Sequence, residues 1–261
     1  MTEPVVVSWG AGVNSTALLI GMHERGERPD LVLMADTGGE KPETLAFVLS
    51  FQQWLESVGF PSIIIVQNAF RPGFRHRSLE DECHNNRTLP SLAFGFKGCS
   101  VKWKRQPMDR YVRQWSAAQV AWEAGLRVRR LIGIDAGEPH RGKIPDDARF
   151  AYHFPLIEWD WGRRQCLDAI DRAGLCQPPK SACFFCPAMR PGEILQLNRT
   201  HPDLVVRAIA MEESAAGGLS NVKGLGRAWS WQSVIDADSA QWSLFPEVIE
   251  QACLCFDGDD L

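Results

Sequence analysis

The chain carries a glycine-rich turn at residues 8–16, SWGAGVNST, directly after the apolar run PVVV. A glycine turn that joins a first strand to a helix offers unpaired backbone N–H groups and the positive end of the helix dipole to an anion, for which phosphate is the natural candidate. The spacing is neither GxxxxGKS nor GxGxxG, because no lysine follows and Asn14 and Ser15 stand where a third glycine would. Taken alone, the stretch is also compatible with a tight turn in which Ser15 only caps a helix.

Two further apolar runs end in polar turns that contain glycine, ADTGGE at residues 35–40 and IGIDAGEPHR at 132–141. An acidic group such as Asp36 could hold a nucleotide hydroxyl or, with phosphates nearby, Mg²⁺; in isolation ADTGGE could equally be a helix-entry turn. Arg141 is always charged, which makes it a better phosphate ligand than His140. Three strands that each finish in such a turn predict one shared crevice. The two later turns present Asp36, Thr37, Glu40, Asp135, Glu138, His140 and Arg141.

Cys183 and Cys186 form a CxxC pair flanked by aromatic residues, a spacing typical of metal ligands or redox cysteines. We expect Cys99 to be the distant third ligand, and Cys83, Cys176 or a non-protein group could complete a four-coordinate site. Such a set is compatible with Zn²⁺ and with an iron–sulfur cluster.

The remaining cysteines are interpreted differently. Cys166 lies on an amphipathic helix pattern and is predicted to be a buried free thiol. Cys253 and Cys255 could be mobile nucleophiles or a further metal pair, and we favour an incidental role.

Two stretches beside the expected site mix basic and aromatic residues, FRPGFRHR at 70–77 and VKWKRQ at 101–106. Such a mixture can follow a nucleic-acid backbone and stack on its bases, or it can form a solvated face. The tryptophans at 229, 231 and 242 are more typical of packing in a C-terminal cap than of a binding platform.

The elements that position these residues alternate between strand and helix. Strands are expected at residues 4–9, 30–36, 62–66 and 127–135, and helices at 15–27, 42–59, 104–125, 162–174, 193–199 and 203–215. Residues 68–98 lack periodicity and are interpreted as a mobile excursion over the site, and the chain beyond Ile134 is expected to be rich in loops. The pattern predicts an α/β fold, a Rossmann-like parallel sheet flanked by helices. Residues 1–175 would form the nucleotide-binding domain, and 176–261 a helical extension that carries the CxxC pair.

Composition narrows the class of protein. With 261 residues, of which 45% are hydrophobic, the chain can bury a sizeable core, and its net charge of −4 argues against binding nucleic acid through overall charge, although a local basic groove could exist. We expect a cytoplasmic protein with reduced cysteines, because no targeting segment or membrane span is evident.

Six stretches, taken in order, resemble the PP-loop ATP pyrophosphatases, in the branch named for phosphoadenosine phosphosulfate (PAPS) reductase. The resemblance covers residues 5 to about 216. The matching stretches are SWGAGVNSTALL, ADTGGEKPET, GCSVKWKRQP, IGIDAGEPHR, FPLIEWDWGRRQC and PPKSACFFCP. Each is modest by itself, but six in register are specific.

The resemblance implies a Rossmann-like fold that binds ATP with Mg²⁺ and releases pyrophosphate after a substrate oxygen attacks the α-phosphate. It implies catalytic roles for Ser15, Lys104 and Arg141. It implies nucleotide-binding roles for Ser8, Gly10, Gly12, Asn14, Ser15, Thr16, Asp36, Thr37, Gly38 and Glu138. It also implies a 4Fe–4S cluster or Zn²⁺ at Cys99, Cys183 and Cys186.

The chain departs from the family pattern at two positions. Asn14 stands where the usual PP-loop carries an aspartate, so Mg²⁺ would be held differently, with Asp36 as one candidate. Gly98 stands where cluster-containing reductases carry the first of two adjacent cysteines, so a cluster would have an open iron or take another cysteine. The end of the chain, CLCFDGDDL, lacks the ECGLH-like motif of true reductases.

The resemblance therefore suggests an ATP pyrophosphatase that adenylates a nucleic acid for sulfur incorporation. We expect DNA phosphorothioation with a cysteine desulfurase and other partners, in an oligomer or a monomer. The alternatives are tRNA thiolation, reduction of adenylyl sulfates, and a zinc-stabilised interaction module without activity.

Overall fold

A computed structural model describes residues 2–68, 73 and 75–244, with the backbone alone at 241–244. Outside the described part lie Phe70, Arg71, Pro72 and Phe74 of the stretch at 70–77, the side chain of Trp242, and Cys253 and Cys255, so the predictions that involve them stay predictions.

A parallel sheet forms the centre of the described chain, in the strand order β3-β2-β1-β4-β5. The first four strands confirm the sequence prediction and the α/β fold class. Val6 and Val7 of β1 have no exposed surface, as expected of a parallel strand covered on both faces. The strands are β1 (Val5–Ser8), β2 (Leu31–Asp36), β3 (Ile63–Gln67), β4 (Val128–Ile132) and β5 (Phe150–His153).

The edge strand β5 is not predicted by the sequence, which indicates loops and three helices beyond Ile134. Its four residues, FAYH, pair in parallel with β4, from Val128 opposite Phe150 to Leu131 opposite His153. A strand this short gives too few residues for a period of two to be recognised, so only the pairing with β4 reveals it.

The strand order reverses between β1 and β4, which lie side by side although more than a hundred residues separate them in the chain. Ser8 lies opposite Ile132 in the register. Along the chain, β1 is followed by its neighbour β2 on one side and β4 by its neighbour β5 on the other, and this change of direction leaves a crevice at the carboxyl ends of β1 and β4. The turns 8–16 and 132–141 both begin there.

Helices cover both faces of the sheet. The α-helices are α1 (Val13–Glu24), α2 (Pro42–Ser57), α3 (Leu79–Asn85), α4 (Gly98–Ser100), α5 (Gln106–Gln114), α6 (Ser116–Glu123), α7 (Pro155–Glu158), α8 (Arg163–Arg172), α9 (Pro191–Thr200), α10 (Pro202–Ala215) and α11 (Trp231–Leu244). A π-helical turn at Val101–Arg105 joins α4 to α5. The single helix predicted at 104–125 is wrong: it divides at Trp115, whose backbone is extended (φ −75°, ψ 122°).

The sheet is packed on one face against α1, α2 and α8. Trp9, which directly follows β1, stacks on Phe51 of α2 with the ring centroids 5.0 Å apart. Cys166 of α8 is completely buried in this core, which confirms the prediction of a buried thiol. The other face packs against α5 and α6, through Val112 and Ala118.

A second core lies beyond the sheet and contradicts the interpretation of 68–98 as a mobile excursion. Leu79, Cys83 and Ala93 are buried there, together with Trp103 and residues from the CxxC segment to Trp231. Trp231 has no exposed surface, as a packing role requires. This core draws on both sides of residue 175, and the division of the chain into two domains at that residue stays a prediction.

Among the described residues, none of the helices combines the length and apolar character that a membrane crossing needs.

Candidate functional site

The turn after β1 is a closed loop held by one hydroxyl. Ser15 Oγ accepts a hydrogen bond from the Gly10 N–H (3.1 Å) and donates one to the Gly12 carbonyl (3.2 Å). Ala11, between the two glycines, has a left-handed backbone (φ 56°), which a residue with a Cβ rarely adopts. Strain of this kind, fixed by surrounding contacts, is typical of functional sites.

The first turn of α1 offers a row of free donors. Its first helical hydrogen bond runs from the Thr16 N–H to the Gly12 carbonyl (3.0 Å), and no side chain caps the helix. Within the described part of the chain, the N–H groups of residues 12–15 have no hydrogen-bond acceptor. Free N–H groups at the positive end of a helix of twelve residues form an anion-binding cradle.

Two predicted loop ligands have hydroxyls that bond to the scaffold. The Thr16 side chain is buried and accepts a hydrogen bond from Trp9 Nε1 (3.1 Å). Ser8 Oγ accepts one from Nε of the buried Arg130 (3.1 Å), which also pairs with Asp109. Their roles as nucleotide ligands stay predictions. Arg130 is missed by the motif analysis, although a charged residue in an apolar strand is a signal that could have identified it.

The turn after β4 lies directly on the first turn of α1. A Cβ at Gly133 would come within 2.7 Å of the Ser15 N and Cα atoms, so the two backbones are in contact and only glycine fits. Asp135 is 8% exposed, and its Oδ2 accepts a hydrogen bond from Asn14 Nδ2 (2.7 Å). The crevice predicted from the sequence is thus built by contacts between residues 121 positions apart.

The turn after β2 is held by its own polar side chains. Asp36 accepts hydrogen bonds from the Gly38 N–H (2.7 Å) and from Gln67 Nε2 (2.5 Å). Thr37 is 1% exposed, and its hydroxyl accepts a hydrogen bond from the Gly39 N–H (3.2 Å) and lies 3.1 Å from Cys183 Sγ. Asp36, Thr37 and Gly38 therefore lie at the same edge of the sheet as the cysteine segment.

The CxxC segment contacts both of the first two turns. Ser181 Oγ donates a hydrogen bond to the Gly10 carbonyl, and the Phe184 N–H donates one to the Gly39 carbonyl (2.8 Å). A Cβ at Gly39 would lie 2.7 Å from the Phe185 ring, so this packing is tight. The segment thereby brings Cys183 and Cys186 to the edge of the sheet at which the first two turns lie.

Lys104 lies between a buried carboxylate and the thiols. Its Nζ is 3.9 Å from Glu40 Oε1. Burial would lower the pKa of Lys104, but the Glu40 carboxylate and then the thiols hold it above its ordinary value. Burial raises the pKa of Glu40 despite Lys104, and Glu40 Oε2 is buried without a partner in the described structure. Lys104 sits on the π-helical turn, a feature frequent at functional sites.

The three predicted metal-binding cysteines lie in or against the second core, but as placed they do not form a ligand set. No group of three His, Cys, Asp or Glu side chains in the described ranges is arranged to hold a metal ion. Burial raises the pKa of the Cys183 thiol to about 12 and raises that of Cys186 as well. The assignment of these cysteines as metal ligands stays a prediction.

The remaining predicted residues lie at the surface. Arg141 pairs with Glu138, and both side chains are nearly half exposed, on the short 3₁₀ turn Pro139–Gly142 that follows β4. In the basic stretch VKWKRQ, Trp103 is 1% exposed and donates a hydrogen bond to Glu82 (2.6 Å). Trp103 is therefore not available to stack on a base, which corrects that part of the interpretation.

Comparison with known proteins gives likenesses among solved structures. No protein-family model and no curated protein matches the chain. Among solved structures, the chain is similar to the U34-tRNA thiolase NcsA from Methanococcus maripaludis with its 4Fe–4S cluster. The identity is 12%, the match covers 82% of this chain and 73% of that chain, and the TM-score is 0.44.

Proposed function

We propose that the chain is an ATP pyrophosphatase that transfers AMP to an oxygen of a nucleic-acid acceptor and so activates that acceptor for sulfur insertion. The observation that carries this proposal is the anion cradle of residues 10–15, placed at the reversal of strand order and covered by the segment that carries Cys183 and Cys186. A phosphate cradle beside thiols suits a reaction that spends ATP to move sulfur.

The chain's own residues supply positioning and charge. The N–H groups at the start of α1, with Gly10, Gly12 and Ser15, would hold the β- and γ-phosphates. An acceptor oxygen then attacks the α-phosphorus, forming the new O–P bond while the bond to the β-phosphate breaks and pyrophosphate leaves. Lys104, oriented by Glu40, would neutralise charge on the phosphates. Alignment and fixed dipoles provide most of the acceleration in reactions of this type.

The nucleotide ligands on the later turns complete this proposal. Asp36, Thr37 and Gly38 form the wall next to the loop, on the adenosine side. Arg141 and Glu138 lie on an exposed turn, and Arg141 would exchange its ion pair with Glu138 for a phosphate oxygen when ATP binds. Mg²⁺ would accompany the phosphates, because it prefers oxygen ligands and commonly takes several of them from the nucleotide.

The acceptor is a nucleic acid in this proposal, either tRNA or DNA, with sulfur delivered by a cysteine desulfurase. tRNA and DNA are tested side by side as acceptors. Incubation with ATP, a sulfur donor and either tRNA or DNA, followed by nucleoside mass spectrometry, distinguishes 2-thio or 4-thio nucleosides from phosphorothioate linkages.

Loss of the Ser15 hydroxyl tests the nucleotide site. Ser15→Ala removes both hydrogen bonds that close the loop, each worth about 1 kcal/mol, so we expect ATP affinity to fall about tenfold or more. Isothermal titration calorimetry measures the affinity, and product chromatography measures AMP and pyrophosphate.

Ser50→Ala is the matched control, because Ser50 Oγ makes a similar bond to the carbonyl three residues earlier on an exposed helix surface (3.0 Å). AMP formation that survives Ser15→Ala unchanged would overturn the assignment. Failure of the unmodified chain to bind ATP at all would favour the zinc-stabilised interaction module.

Metal analysis distinguishes the 4Fe–4S cluster from the zinc ion, the two alternatives that the resemblance implies. We expect anaerobically purified protein to be brown and to contain iron and acid-labile sulfide, and we expect Cys183→Ser to lose both. Cys166→Ser is the control, since Cys166 is buried in the sheet core away from the CxxC pair. A colourless preparation with one zinc ion per chain would show the site to be a zinc site.

A further inference from the structure

We propose that Asp135 supplies, from the turn after β4, the carboxylate that the glycine-rich loop lacks at Asn14, and that it carries the magnesium of the bound nucleotide. The inference rests on the proposed function, because it concerns the ion that accompanies ATP. It assigns to Asp135 a role that the sequence patterns left to Asp36.

The two side chains form one unit. Asn14 Nδ2 donates to Asp135 Oδ2 (2.7 Å), and Asp135 Oδ1 accepts from the Gly137 N–H (2.9 Å). A carboxylate has about four lone-pair positions, so each oxygen keeps one for a cation. The close contact at Gly133 fixes the distance between the two turns, and the carboxylate therefore lies beside the loop residue that usually carries one.

The Asn14 side chain has one acceptor whose hydrogen bonding is unsatisfied. Its Oδ1 is buried and has no hydrogen-bond partner within the described structure. The amide cannot be rotated to exchange its oxygen and nitrogen, because the oxygen would then face the Asp135 carboxylate. A buried acceptor without a donor is the kind of atom that a bound ion, or a group held by that ion, satisfies.

The other carboxylates at this edge are less suitable. Both Asp36 oxygens already accept hydrogen bonds, from the Gly38 N–H and from Gln67, and Asp36 follows β2 on the far side of β1 from the β4 turn. Glu40 lies beside the charged amine of Lys104. Mg²⁺ commonly takes one or two carboxylates and completes its shell with phosphates and water, so one carboxylate beside the phosphate cradle suits it.

Calorimetric measurement of ATP binding, once with Mg²⁺ and once with EDTA, tests the inference. Asp135→Asn keeps the shape and a hydrogen bond to Asn14 but removes the charge, so Mg²⁺ should no longer strengthen ATP binding, and affinity for MgATP should fall about 10- to 100-fold. Affinity in EDTA should be unchanged. Asp168→Asn, at an exposed position of α8, is the control and should behave as the unmodified chain.

The double variant Asn14→Asp/Asp135→Asn restores one amide and one carboxylate to the pair and should recover most of the effect of Mg²⁺. Asn14→Asp alone should lower the melting temperature, because two carboxylates would face each other. Mn²⁺ binding in the presence of ATP, followed by electron paramagnetic resonance, reports the metal directly. Should Asp135→Asn fail to fold, the double variant gives the deciding comparison.

The outcomes separate this inference from the proposed function. Normal magnesium dependence in Asp135→Asn, or a double variant no better than Asp135→Asn, overturns the role of Asp135 while ATP binding stands. An unmodified chain that binds no ATP, with or without Mg²⁺, overturns both.

Discussion

Replacement of Gly133 by alanine is expected to abolish productive ATP binding while the sheet still forms. The added Cβ would lie 2.7 Å from the N and Cα atoms of Ser15 and 2.8 Å from the carbonyl carbon of Asn14. These are backbone atoms of the first turn of α1 and cannot rotate away, so the loop must move off the β4 turn. A displacement of about 1 Å at a reacting centre costs about 100-fold in rate, and we expect AMP formation to fall at least that far.

The same substitution should lower the free energy of unfolding by about 1–3 kcal/mol, as overpacking of a close contact usually does. Gly217→Ala is the matched control: nothing lies within 4 Å of the added Cβ, and its φ is not in the left-handed region. Pyrophosphate release and urea unfolding measured on both variants separate the effects. A Gly133→Ala protein with normal AMP formation would show that the turn after β4 does not position the loop.

Removal of the Glu212 carboxylate is expected to have the largest effect on stability. Glu212 of α10 is 6% exposed and accepts hydrogen bonds from the N–H groups of Leu225 (2.6 Å) and Trp231 (2.9 and 3.0 Å), which tie the segment before α11 to the second core. Glu212→Ala leaves these buried donors unpaired, and we expect a loss of about 3 kcal/mol or more in the free energy of unfolding. Glu213→Ala, the exposed neighbour, should change it by less than about 0.5 kcal/mol.

The pH dependence of stability gives an independent check on Glu212. Burial raises the pKa of its carboxyl above the ordinary value of 4.5, although the N–H groups of Leu225 and Trp231 act in the opposite direction. The folded state therefore holds the proton more tightly than the unfolded state, so the contribution to stability is complete below pH 4.5 and is lost as pH rises through the raised pKa.

The Glu212→Gln variant has an amide in place of the carboxyl group and does not titrate in this range. Chemical denaturation across pH 4 to 8 should show the unmodified chain losing stability relative to Glu212→Gln as pH rises. A difference between the two proteins that does not change with pH would contradict the raised pKa.

The sequence predicted the parts of the fold that depend on short patterns. The apolar runs of β1 to β4 and the glycine turns after them are contiguous stretches that can be recognised in the sequence. Because the sheet is parallel, the carboxyl ends of its strands lie at one edge. The placement of the CxxC pair at that edge is not predicted by the sequence. Contacts such as that between Thr37 and Cys183, 146 residues apart, have no local signal.

The parts of the fold and of the site that the sequence does not predict depend on tertiary contacts, which leave no local pattern. The stretch 79–103 looks irregular because its apolar residues face a core supplied by the other end of the chain, so Leu79 and Trp103 obey no period of their own. The hydroxyls of Ser8 and Thr16, which the resemblance makes nucleotide ligands, accept hydrogen bonds from Arg130 and Trp9, and the local sequence gives no sign of these contacts. The role of Gly133 is visible only once α1 lies against it.

The contacts of the CxxC segment also set an order for biosynthesis. Ser181 meets Gly10 across 171 residues, so the loop after β1 leaves the ribosome long before the residue that clasps it. Long-range contacts of this kind form late and slow the folding of the chain. Cys183 and Cys186 consequently reach this edge of the sheet only after all five strands have been translated, and a translation product that ends before Ser181 would contain the loop after β1 without the segment that contacts it.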